Sequence, residues 1–146
     1  MRGMQYAGEF EIKQAQIFSP DGEATDLLTD FQLIEINLFE DMFKSAITGN
    51  AIVIDTRDII SKIPLIGQER LSLKIATPSL TKKEDIIDFT ENHFFVHKIA
   101  GRQEVSSGGQ TYQIQFVSNE AIKNSRKRVS KAYYNTKANI GEIVFD

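Results

Sequence analysis

The chain has 146 residues, 41% of them hydrophobic and 25% charged, with a net charge of −3. That length and composition describe one ordinary globular domain able to bury roughly two thirds of its unfolded surface. The absence of cysteine excludes disulfides, thiolate nucleophiles and cysteine-type zinc sites; no apolar run approaches the about 18 residues that span a bilayer, and the polar start MRGMQYAGEFEIKQ is not a secretory signal.

Phe10 to Phe18 (FEIKQAQIF) is short, partly alternating and rich in β-formers, and reads as a strand. Ser19-Pro20-Asp21-Gly22 is a turn, because proline presets φ and glycine accepts a positive φ. Phe31 to Phe39 (FQLIEINLF) is the next strand, with Ile34, Ile36 and Leu38 on one face and Phe31, Leu33 and Phe39 on the other. A strand apolar on both faces is buried on both or meets another chain. Phe39 to Ser45 makes a short helical or irregular link, and Thr48-Gly49-Asn50 turns the chain into an apolar strand, Ala51 to Asp55. Asp55 or Thr56 caps a brief helix, Arg57 to Ile63, whose buried side is Ile59, Ile60 and Ile63 and which Pro64 stops.

After a bend through Gly67, Arg70 to Thr77 (RLSLKIAT) alternates, with Leu71, Leu73 and Ile75 inward and Ser72, Lys74 and Ala76 outward. Pro78 to Glu84 is a polar loop. Asp85 to Val105 is one bent strand or two, with Phe94, Val96 and Ile99 marking the inner side. Ser106-Ser107-Gly108-Gly109 is a hairpin signal leading into Gln110 to Val117, where Tyr112, Ile114 and Phe116 share a face. After Ser118 the period changes: Ile122, Arg126, Val129 and Tyr133 form a helical stripe, with Ser118 as N-cap and Glu120 at the positive helix end. Asn135 to Asn139 is a loop, and Ile140 to Asp146 begins a further element that stops, as expected of the front part of a longer protein. Consecutive strands and tight turns predict a mainly β fold, an antiparallel sheet closing into a barrel or sandwich. One short helix and one C-terminal connector helix accompany it. Residues 1–118 form the β domain, and residues 119–146 form the basic helix and the start of the next element.

No catalytic set emerges. His93 and His97 lie four apart, but in a strand-like stretch and without the HExxH glutamate, so no metal site is expected. Glu40/Asp41 and Glu84/Asp85 sit in links beside no nucleophile, and Gly108-Gly109 lacks phosphate-loop spacing; neither catalysis nor a cofactor is expected. Charge is the one anomaly. Ala121 to Gly141 carries Lys123, Arg126, Lys127, Arg128, Lys131 and Lys137 with no acid, so this segment is +6 and the remainder −9. Such a cluster binds nucleic acid, faces solvent, or meets acidic surface on another protein copy. Phe39, Met42 and Phe43 in the link, and Lys123, Arg126, Lys127, Arg128 and Lys131 in the helix, are the candidate contact residues. The alternatives are core aromatics and a solvated helix face.

The passage DFQLIEINLFEDMFKSAITGNAIVIDTRDIISKIPLIGQERLSLKIATP resembles the start of baseplate hub proteins of contractile-tailed bacteriophages. The shared scheme is strand, acidic-aromatic link, strand, short helix, then I-G-x-E-x-L leading into another strand. FVSNEAIKNSRKRVSKAYYNTKANIGEIV resembles the same family's passage of strand, S-x-E-x-I-x-N, basic helix, S-K-A-Y and new helix. The two passages cover over half of the chain. The resemblance implies a tail-tube-like β-barrel, here the first of two related barrels per subunit, in a trimeric ring that joins the tail tube to the central spike. It implies a virion protein made in the host cytoplasm, with a lumen through which DNA can pass, no sequence-specific nucleic-acid contact and no membrane segment. The hub of a related contractile injection or type VI-like secretion system shares this scheme. A nucleic-acid-binding barrel using the basic helix is the alternative of another class.

Overall fold

The computed structural model describes residues 8–61, 66–78, 86–105 and 108–128. Within them the chain forms β1 (Glu11–Phe18), β2 (Ala24–Asp26), β3 (Gln32–Phe39), β4 (Thr48–Asp55), β5 (Arg70–Ala76), β6 (Ile86–Val105), β7 (Gly109–Val117) and α1 (Asn119–Arg126). All strands join one antiparallel sheet in the order β2-β1-β5-β6-β7-β4-β3, curled into a half-barrel with one short helix.

The long strand β6 produces the curl. Its first half, Ile86 to Phe95, pairs with β5, and its second half, Phe95 to Val105, pairs with β7. Register shifts bend it on the way: Leu73 faces Phe89 while Leu71 faces Phe94, and one further residue is inserted at His97 and another beside Gly101 (φ 64°). Extra residues of this kind bend a strand and raise its twist. The two halves of the sheet therefore turn toward each other and close over one core. Period-two alternation delivers the side chains: Ala15 and Ile17, Ala51 and Val53, Leu71 and Leu73, Phe94 and Val96, and Tyr112, Ile114 and Phe116 are all buried. Phe94 sits at the centre, its ring 4.4 Å from Phe89 and 5.1 Å from Phe116.

Four local expectations change. First, β3 is not buried on both faces, and its apolar residues divide between them differently from expectation. A bulge between Leu33 and Glu35 resets its register on β4, so Leu33, Ile36 and Leu38 all pack against the core, and Ile34 and Phe39 point outward, each 55% exposed. Second, Thr48-Gly49-Asn50 is strand and not turn. Gly49 stands there because a Cβ would overlap the Phe116 ring and come within 2.6 Å of the Asn37 carbonyl oxygen. Third, residues 57–61 are not helical. The Asp55 carboxylate does accept backbone N–H groups, from Arg57 and Ile60 at 3.0 Å each, but Asp58 takes φ 53°, which breaks a right-handed helix. Lys62 and Ile63 of the expected helix lie outside the described residues. Fourth, Ser72 and Ala76 are buried, with Ser72 Oγ accepting a 2.9 Å hydrogen bond from Gln14 Nε2. The short edge strand β2 is not among the expected elements; three residues pairing with Gln16 to Phe18 leave too little pattern to read.

Candidate assembly surface

The link between β3 and β4 is a pinned turn. Asp41 Oδ1 accepts the Phe43 N–H at 3.0 Å, the Asp41 carbonyl accepts the Lys44 N–H at 2.9 Å, and Lys44 Nζ lies 3.7 Å from Asp41 Oδ2. This is the aspartate turn that local side-chain chemistry favours; the exposed ion pair adds little. The turn holds Met42 and Phe43 at its tip, 88% and 89% exposed, with Phe39 at its base. Adjacent large apolar side chains so fully in water form the kind of exposed apolar patch that marks a contact site.

The chain then returns through Ile47, and there the second candidate segment joins the first. Ser118 donates its N–H to the Ile47 carbonyl at 2.8 Å and accepts the Ile47 N–H on Oγ at 3.2 Å. Ser118 occupies the N-cap position of α1, as its sequence context predicts, but makes no side-chain cap hydrogen bond, because its hydroxyl oxygen serves Ile47. The backbone N–H of Glu120 and the Ser118 hydroxyl hold the Glu120 carboxyl below the usual carboxylate range. A hollow of about 280 Å3 lies between the turn and the helix start, lined by Glu40, Asp41, Met42 and Lys44 on one side and Ser118 and Glu120 on the other.

From this anchor α1 runs outward with no fully buried residue. Lys123 and Arg126 lie in its last turn, where cations complement the helix dipole. Lys127 ends it in extended conformation (φ −97°, ψ 125°), and Lys123, Arg126, Lys127 and Arg128 are all exposed. The expected stripe continues through Val129 to Tyr133, and Lys131 with it; these lie outside the described residues. The structure thus brings Phe39, Met42 and Phe43 to the same end of the half-barrel as the start of the cationic helix, although the two segments are some eighty residues apart in sequence. Nothing in the local pattern of either segment announces this.

Other candidates are placed elsewhere. His93 packs its ring edge-on to Phe18 at 5.7 Å, and His97 is exposed at its bulge, so the two histidines sit in irregular strand and not on one helical face. Among the described residues no three of His, Cys, Asp and Glu cluster to hold a metal ion, and no helix is long and apolar enough to cross a membrane. The glutamate of I-G-x-E-x-L, Glu69, is buried; its carboxylate accepts the Ile66 N–H at 2.6 Å and the Gly67 N–H at 2.9 Å, which explains this motif as a bend lock ahead of β5. Sequence reasoning missed one further feature, an apolar seam lined by Phe10, Ile36, Leu38, Ile75 and Ile87. Its only sequence signal is the surplus of apolar residues in the strands flanking it. Comparisons with protein families, with curated proteins and with solved structures give no match.

Proposed function

We propose that this protein is a non-catalytic structural subunit of a phage tail baseplate hub, a tail-tube-like β domain that assembles with further copies into a ring between tail tube and central spike. The hub identity rests on the resemblance of the two sequence passages, and the observation that supports assembly is the Met42–Phe43 tip, nearly fully exposed on a pinned turn and tied through Ile47 and Ser118 to the base of a cationic helix. Apolar anchors beside a charged flank are the composition of a contact surface: the anchors supply area, and the charges supply register and partner choice. The acidic remainder of the chain offers the complementary charge. In this role the protein belongs to the virion, is made in the host cytoplasm, forms a trimer, and lets DNA pass through the ring without reading its sequence. The same surface serves equally in the hub of a related injection or type VI-like system.

Sedimentation velocity across the micromolar range tests assembly. Concentration-dependent oligomers are expected, and a monomer throughout would overturn the reading. The exposed run of Lys123, Arg126, Lys127 and Arg128 favours a second reading, phosphate contact with single-stranded nucleic acid. Retention of labelled single-stranded DNA that weakens steeply with added salt supports that second reading, and no retention at low salt eliminates it.

A further inference from the structure

The half-barrel leaves a seam where the β3 edge passes the far end of β5 and β6. There Ile36 and Leu38 face Phe10, Ile75, Ala76 and Ile87 across a hollow of about 300 Å3, with no charged side chain among the described residues of its lining. Its rim is open: Phe10 is 60% and Ile87 48% exposed. Four residues beyond Leu38 the same chain presents Met42 and Phe43, held away from the protein by the Asp41 turn. Among the described residues, nothing fills this apolar hollow and nothing houses the apolar tip.

We propose that the Met42–Phe43 tip of one copy seats in the Phe10–Ile36–Leu38–Ile75–Ile87 seam of a second copy. This deepens the assembly reading above, and rests on it, by naming what the tip binds. The sizes agree. A cavity of about 150 Å3 lined by aliphatic and aromatic groups holds one benzene ring, so the seam takes a phenyl ring and a thioether side chain together. The area agrees with reversible association. One buried aromatic removes on the order of 150–250 Å2 from water, so tip and seam together bury about 700 Å2, short of the roughly 1,200 Å2 at which a single interface is stable. In a head-to-tail ring each copy gives one tip and receives one, and is held by two such contacts.

The cysteine-free chain makes the test direct. Met42→Cys protein is mixed with Ile87→Cys protein and oxidised mildly, and linked peptides are identified by mass; Asp21→Cys, in the exposed turn after β1, replaces Ile87→Cys as the control partner. A disulfide joining positions 42 and 87 of different copies, absent with the control, is expected. Met42→Ser/Phe43→Ser and, separately, Ile87→Lys are each expected to shift association at least tenfold toward monomer. An oligomer that survives the double substitution with no link between positions 42 and 87 overturns the tip-in-seam contact and leaves the assembly reading standing. A wild-type protein that is monomeric at every concentration overturns both.

Discussion

Replacing Tyr112 by Phe probes the polar lock under the sheet. Asp55 ends β4 almost fully buried, and its carboxylate accepts the N–H groups of Arg57 and Ile60 at 3.0 Å and the Tyr112 hydroxyl at 3.2 Å. A hydrogen bond to a charged group contributes about 1.5–3 kcal/mol, and the Tyr112 bond is the longest of the three, so Tyr112→Phe costs about 1–2 kcal/mol. The substituted ring keeps its edge contact with Phe31. Asp55→Ala strands its backbone donors and a buried hydroxyl, each unmet group costing about 1–3 kcal/mol, for a loss of about 3–5 kcal/mol after local relaxation. Because Tyr112 acts through Asp55, the double variant loses less than the sum of the singles. Acid dependence follows from the same contacts. Burial raises the Asp55 carboxyl, but the N–H groups of Ile60, Ile59 and Arg57 and the Tyr112 hydroxyl outweigh it, and the net shift is downward from 3.8. A carboxyl lowered on folding contributes stability above its unfolded value, and that stability is lost as pH falls through the folded value. Wild type therefore weakens on acidification below about pH 4, and Asp55→Asn flattens that part of the profile. Urea denaturation at several pH values measures all of this through the midpoint at constant m. Additive losses in the double variant, or single losses within about 0.5 kcal/mol of zero, would refute the lock.

Three further outcomes are expected. Gly49→Ala drives a methyl into the Phe116 ring and the Asn37 carbonyl and lowers stability by about 1–3 kcal/mol, read by thermal unfolding. Lys74→Met releases Asp88, whose carboxyl is held down to about 2 by its 2.7 Å contact with Lys74 and by Thr90; NMR titration of Asp88 moves up toward the ordinary range. Met42→Ser/Phe43→Ser leaves the stability of the isolated copy within about 0.5 kcal/mol of wild type, because both side chains are in water before the change; a large loss would place the tip in the copy's own packing.

Much of the β architecture is legible from local pattern. β1, β5 and β7 carry their alternation openly, the Ser19 to Gly22 turn and the Gly108-Gly109 hairpin carry their own chemistry, and the change of period after Ser118 marks the start of α1. The misreadings share one cause. At Thr48-Gly49-Asn50 the glycine answers a ring from β7, not a turn. At Ile34 a bulge against β4 reverses the face assignment. At Asp55 the carboxylate that looks like a helix cap serves a tight loop and a tyrosine from β7. In each case a partner distant in sequence overrides the local preference.

The candidate surface divides in the same way. The residue types of the Phe39 to Phe43 link and of the cationic helix are set by the chain alone, and with them the charge asymmetry and the lack of thiol chemistry. Their meeting at one end of the half-barrel is decided by the β4–β7 ladder, which sets Thr48 opposite Val117 and is extended by two hydrogen bonds between Ile47 and Ser118. The seam is decided by the bend of β6, which carries β5 and β7 on different halves of one strand and leaves the β3 edge lying against apolar residues it does not cover. Local sequence specifies dihedral preferences and period, which act over a few residues; exposure and juxtaposition arise from contacts between distant strands, and only the folded sheet contains those.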